Sequence, residues 1–311
     1  MIKKMIYITI CTNRKRSFAG TVLHAYNLPC GTQEEVTSRW LENVSLAEKV
    51  AEAQNLYCGR GFVESLVAAK IANSEPWIIS AGLGLVHAHD RVPEYNLTIT
   101  PSTHSSIQQK VTTPFCPTKW WYALNEGLER SLASLIEGHS HSIVLLSLSQ
   151  VYAKMVQGDL LQLDDSAISR LRIVGLASVG ILPKRLQRAY MPYDMRLNDP
   201  DLGIPGTMSD FSQRSARHFV ERIWCDYPNL SAIEHAALVE NSLSALKQPV
   251  IPKRRQMTNE EIMHVIVNQW DQAEGKSGKM LRLLRSKLTI ACEQKRFSSL
   301  FNQVKEGIVR G

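Results

Sequence analysis

Four short runs of apolar and β-branched residues constrain this chain more than any other feature: MIYITIC at 5–11, WIIS at 77–80, IVLLS at 143–147 and LRIVGL at 171–176. Each has the length of a strand buried on both faces, and each gives way to polar or glycine residues. Between them lie stretches with helical spacing: 45–57, then 61–72 with Phe62, Leu66, Ala69 and Ala72, a face of Leu124, Leu128, Leu132 and Leu135, and 149–157. Strands alternating with helices predict an α/β fold, a mostly parallel sheet flanked by helices. The segment 81–101 reads as an ordered loop, because Gly82 and Gly84 interrupt the apolar run.

The 311 residues suffice for two domains or one large domain with an appendage. The sequence NDPDLGIPGT at 198–207 carries two prolines and two glycines, and a second junction, with Pro249 and Pro252, precedes Lys253. The expected division is an α/β domain over 1–205, a helical connector over 206–250 and a small basic domain over 251–311. No run approaches the ~18 apolar residues of a membrane helix. The N-terminal apolar stretch runs straight into Asn13, Arg14, Lys15 and Arg16, which predicts a strand rather than a targeting segment. Six cysteines without a Cys-x-x-Cys pair predict free thiols in a reducing compartment, hence a cytoplasmic protein.

The net charge of +7 gains meaning once located: 251–311 holds twelve Lys or Arg against six acids. Thr258 with Glu261 forms a capping signal for a helix running to Trp270. A second helix after Gly275 and Gly278 turns Met280, Leu281, Leu284 and Leu288 inward, and a third over 293–304 closes the core through Phe297, Leu300 and Phe301. Two helices joined by a glycine turn, the second one basic, predict a helix-turn-helix-like domain. Lys276, Lys279, Arg282, Arg285, Lys287, Lys295 and Arg296 are its candidate DNA contacts, and double-stranded DNA the expected partner, because each neutralised phosphate releases counterions. The alternative is a solvated basic face. Gly275-Lys276-Ser277 is not a phosphate-binding P-loop, since Trp270 stands where its first glycine belongs.

In a parallel sheet the ligand crevice lies beyond the carboxyl ends of the strands. That rule selects Thr12, Asn13 and Arg14 to Arg16; Gly82 through Tyr95 and Asn96; and Ser147 with Ser149. Cleaving an N-glycosidic bond needs a carboxylate, or an amide that positions water, beneath a cationic sugar. Asp90 is the candidate carboxylate and Asn13 the candidate amide. Thr12, Gly82, Tyr95, Asn96, Ser147 and Ser149 are candidate base or substrate contacts, and Arg14, Lys15 and Arg16 would grip phosphate. His87-x-His89-Asp90 lacks further ligands at metal spacing, so no metal or other cofactor is expected. Each residue also has a plain structural reading, as turn former, cap, core aromatic or solvated loop.

The order CTNRKR, LYCGRGF (56–62), WIISAGLGLV (77–86) and D-x-x-P-x-Y-N-L-T (90–98) resembles a bacterial family whose pattern reads strand, Cys-x-Lys/Arg, LY-x-G-x-F, SA-x-x-GL and PY-D-x-T. That family is similar to the uracil-DNA-glycosylase-like domain of archaeosine synthases and to antiphage DNA glycosylases acting on modified cytosines. The resemblance covers 5–100, and SGKMLRLLRSKLTIACEQKRFSSLF looks like the DNA-binding ends of such proteins. It implies a uracil-DNA-glycosylase-like fold and excision of a modified base from phage DNA in antiviral defence. A non-catalytic DNA-binding regulator and a tRNA base-exchange enzyme are the alternatives. Asn96 stands where the family pattern has Asp, and no His-Pro-Ser motif is present.

Overall fold

The computed structural model describes residues 4–101, 103–126, 130–248 and 253–310. The chain divides into two compact units, Met1–Pro249 and Val250–Gly311. In the first, five strands form one sheet: β1 Met5–Ile10, β2 Trp77–Ser80, β3 Gly84–His87, β4 Ile143–Ser147 and β5 Leu171–Val174, in the order β3-β2-β1-β4-β5. All neighbours are parallel except β2 and β3, which form an antiparallel hairpin. The apolar runs are strands because both faces of the sheet are covered. Ile8 and Ile10 of β1 with Val144 and Leu146 of β4 face one core, which includes Trp40, Trp120 and Val156. Met5, Tyr7, Ile143 and Leu145 face the other.

The covering helices are α1 Gln33–Leu46, α2 Arg60–Ile71, α3 Pro117–Asn125, α4 Gln150–Gln162, α5 Phe211–Phe219 and α6 Ala232–Ser244. Helix α1 starts at a complete capping box, Thr32 with Glu35, and ends at Leu46. The expected helix over 45–57 is therefore absent: a two-residue strand, Ala51–Glu52, and a single turn, Ala53–Leu56, occupy most of that span. The leucine face expected across 124–135 is split between α3 and a short helix, Leu132–Gly138, while Leu128 lies outside the described residues. The expected loop over 81–101 contains β3, whose turn is pinned by Ser80 Oγ accepting the N–H groups of Gly82 and Leu83 at 3.3 and 3.0 Å.

The stretch 206–248, expected as a connector, belongs to the first unit. Ala216 and Phe219 of α5 join Val239 and Leu243 of α6 in the second core, beneath β1 and β4. Buried Arg172 of β5 ties α6 down by donating from Nε to His235 Nδ1 at 2.8 Å.

The second unit contains α7 Asn259–Asn268, α8 Ser277–Arg282 and α9 Gln294–Arg310. The Thr258–Glu261 capping box opens α7. Past Arg282 the chain continues as a π-helical turn, Leu283–Lys287. Residues Arg255–Gln256 pair in parallel with Ile290–Ala291, an element absent from the sequence expectation. The core is separate from that of the sheet: Ile262, Ile266, Met280, Leu284, Phe297, Leu300 and Phe301. Among the described residues no helix is long and apolar enough to cross a membrane.

Candidate functional site

A cavity of about 630 Å³ opens at the carboxyl ends of β1 and β4, a volume within the ~300–1,000 Å³ of small-molecule sites. Four parts of the chain supply most of its wall: Ile10 to Arg14 at and after the end of β1, Gly59 to Gly61 at the start of α2, Ser149 and Tyr152 at the start of α4, and Met208 to Asp210 with Gln213 at the start of α5. Thr98 and Thr100 complete it. The helices enter through N-caps Gly59, Ser149 and Asp210, none of which closes its helix with a side-chain hydrogen bond. Helix N-termini present unpaired N–H groups and partial positive charge.

The close approach of these parts is set by glycines. A Cβ on Gly61 would stand 3.1 Å from the Gln213 side chain and one on Gly59 3.0 Å from Thr12, so α2 can lie against α5 and against the β1 loop. Gly175, at φ +91°, lets the end of β5 run directly beneath Ser212.

Asp210 contributes the one carboxylate among the lining residues, and it is already engaged. It accepts from Arg60 Nε, from Arg214 Nε at 3.0 Å and from the Thr207 N–H at 2.7 Å, with its side chain only 4% exposed. Arg214 is wholly buried and donates as well to the carbonyls of Leu197, Ile204 and Thr207 and to Asn198 Oδ1. Arg60 remains half exposed at the cavity wall. Among the described residues no acid pairs with Arg14.

Behind the cavity lies a buried group of hydroxyls. Tyr57 Oη and Tyr95 Oη are 3.0 Å apart, and Ser80 Oγ is 2.8 Å from Tyr95 Oη. Cys11 Sγ, on the cavity wall, is 3.0 Å from Tyr152 Oη. Lys15 Nζ sits 4.1 Å above the Tyr95 ring, and burial pushes its ammonium below the usual lysine range.

The expected site residues separate accordingly. Thr12, Asn13, Arg14 and Ser149 meet in the cavity. Ser147 is wholly buried at the end of β4 and is not part of the lining. Tyr95 is a core residue, Lys15 rests on its ring, and Arg16 is exposed outside the cavity. Gly82 is a packing position, where a Cβ would stand 2.8 Å from the Tyr95 ring, and its carbonyl accepts from Trp40 Nε1. Asn96 pairs with His24 in a short parallel bridge.

Asp90 is a correction. Because β3 runs antiparallel to β2, its last residue, His87, lies beside Trp77, the first of β2. Asp90 therefore falls at the amino-terminal rim of the parallel strands, opposite the cavity. There its carboxylate accepts from the His87 N–H at 2.8 Å and pairs with Arg130. Burial pushes its pKa upward, but Arg130 and the His87 N–H outweigh that and hold the carboxyl below its ordinary value. His87 and His89 face Glu75, at 3.4 and 3.3 Å.

The basic residues of the second unit also divide. Lys276 and Lys279 both pair with Glu274. Arg285 donates to the Cys292 carbonyl at 2.9 Å, and Arg296 to Asn259 Oδ1 and the Met257 carbonyl, both at 2.8 Å. Arg285 and Arg296 thus tie segments of their own unit together, whereas Lys276 and Lys279 share an exposed local glutamate. Arg282 and Lys287 are exposed, with no acidic partner among the described residues. The Lys295 side chain lies outside the described residues.

Arg60, Asp210 and Gln213 were absent from the sequence expectation. The signal for Arg60 was Gly59-Arg60-Gly61 at the opening of a helix, whereas Asp210 and Gln213 lay in the expected connector. Comparison with protein-family models, with curated proteins and with solved structures found no match for this chain.

Proposed function

We propose that this protein excises a nucleobase from DNA, taking an extruded nucleotide into the cavity at the ends of β1 and β4, with the basic second unit as a nucleic-acid contact. The observation that carries this reading is the meeting of Asn13, Arg14, Thr12 and Ser149 at one carboxyl-terminal rim, in a cavity of nucleotide size. Base excision requires extrusion, because the glycosidic bond is inaccessible in a stacked duplex. The five-stranded sheet with its crevice at that rim is compatible with the uracil-DNA-glycosylase-like fold that the motifs resemble. Asn13 is the group to orient water or the base, and Arg14 and Arg60 the groups to hold the strand. Asp90 has no part in the mechanism.

One observation favours a non-catalytic sensor of a nucleotide or modified base. The sole carboxylate among the lining residues, Asp210, is shared between Arg60 and Arg214, so it is not free to stabilise a cationic sugar. Single-turnover incubation with duplexes carrying modified or ordinary cytosines decides between the two. Alkali-labile sites and free base support excision; binding without either supports the sensor.

A further inference from the structure

The cavity carries more positive charge than its own acids neutralise. Arg14 and Arg60 line it together with the single carboxylate of Asp210, which Arg60 and the buried Arg214 both engage. Arg214 is buried with its donors spent on Asp210, Asn198 and backbone carbonyls, so it neutralises Asp210 and offers nothing outward. The charges of Arg14 and Arg60 are left over. Arg60 is also held in place: Nε is fixed on Asp210 and Nη2 lies 3.3 Å from Thr207 Oγ1. A guanidinium anchored through one edge presents its remaining N–H groups in a fixed fork, the geometry that oxyanions match. Thr12, Ser149 and Ser209, each with a hydroxyl, line the same cavity.

We infer that Arg14 and Arg60 form a phosphate subsite within this cavity, with Asp210 as the residue that positions Arg60. The ligand class is the phosphate of a deoxynucleotide, whether the terminal group of a mononucleotide or an internal phosphodiester of a strand. The inference rests on reading the cavity as a nucleotide site and adds what that site recognises.

Calorimetric titration of the full chain with deoxycytidine, deoxycytidine 5′-monophosphate and a deoxytrinucleotide tests it. The expected result is that a phosphorylated ligand binds at least about tenfold more tightly than the nucleoside, the scale of a charge-assisted contact. Preference for the monophosphate assigns the subsite to a terminal phosphate; preference for the trinucleotide assigns it to the strand. Arg14→Ala and Arg60→Ala should each abolish most of the preference. Arg60→Lys, which keeps the charge without the fork, should retain part of it. Asp210→Asn should behave as Arg60→Ala; should it fail to fold, the contrast of Arg60→Lys with Arg60→Ala carries the test. Equal affinity for nucleoside and nucleotide, or a preference unchanged in both alanine variants, overturns the subsite. Base release, measured on the same proteins, separates the two readings. An arginine-dependent phosphate preference without base release from any substrate retires excision and keeps the subsite. Base release with no phosphate preference does the reverse.

Discussion

Asn13 and Asp90 lie on opposite rims of the sheet, and that separation makes their roles testable one against the other. Replacing Asn13 by alanine should slow single-turnover base release by about 10², the cost of removing one positioned polar group, while leaving DNA affinity near its original value. Asp90→Ala should leave release near wild type, because its carboxylate serves a turn and an ion pair; a large loss of release in that variant would return it to the mechanism. Asn13, Arg14 and Ser149 were legible because each directly follows a run that is unmistakably a parallel strand. Asp90 was not, because one hairpin reverses the chain direction and sends the next residues to the other rim. His218 offers a second residue-level test. Burial pushes its imidazole from 6.5 down to about 4, with Tyr193 Oη 3.0 Å from Nδ1. Between these values the unfolded chain binds the proton that the folded chain refuses. The neutral histidine's contribution is thus fully present above pH 6.5 and lost as pH falls toward 4, a change on the order of 3 kcal/mol. His218→Gln should flatten that acid limb in urea denaturation between about pH 4 and 7; an unchanged limb would assign it to other groups.

Among the elements, the junction of β5 with α5 ties fold to site. Gly175 adopts φ +91°, and a Cβ there would overlap Ser212 and stand 2.8 Å from the Leu148 carbonyl. Gly175→Ala should therefore cost about 3 kcal/mol, combining left-handed backbone strain with overpacking. It should also lower activity or ligand affinity, because Ser212 lies between Asp210 and Gln213 on the cavity wall. Urea unfolding and nucleotide titration check both, and a variant of unchanged stability would show that α5 can withdraw freely. The strands were legible in the sequence because β-branched residues in runs of four to six, with no charge among them, suit a sheet covered on both faces; Arg172 in β5 is the exception. Helix α1 was missed altogether although Thr32 and Glu35 spell its cap and Val36, Trp40, Leu41 and Val44 recur at helical spacing against the core, because polar residues, Gln33 and Thr37 among the buried ones, interrupt that stripe. Strand β3 was hidden by the glycines that build its turn: Gly84, at φ +72°, serves the hairpin, yet in sequence it reads as a breaker.

For the whole molecule, the second unit's core, separate from the two that flank the sheet, implies two separable contributions, one from the cavity of the first unit and one from the exposed cations of the second. The charge asymmetry locates the excess of cations in the second unit, but it overcounts those free to meet a partner. Glu274 engages Lys276 and Lys279, and Arg285 and Arg296 serve backbone and side-chain acceptors of their own unit. Composition cannot distinguish a pendant arginine from one that ties a helix to a loop. Arg282 and Lys287 are the cations to test. On the proposed function, Arg282→Glu with Lys287→Glu should weaken duplex binding and reduce the slope of log affinity against log salt by about 1 for each phosphate that is no longer neutralised. Lys276→Gln should change that slope less, because in the unbound protein this lysine is already paired with Glu274. With DNA in excess of its dissociation constant, the Arg282 and Lys287 double variant should still release base at the wild-type single-turnover rate, since the proposed function puts the chemistry in the first unit. Asn13→Ala should show the opposite pattern, with intact affinity, intact salt slope and slow release. A double variant that fails to release base even at saturating DNA would show that the second unit takes part in forming the reacting complex, and a salt slope unaltered by its charges would make the basic helix a solvated face.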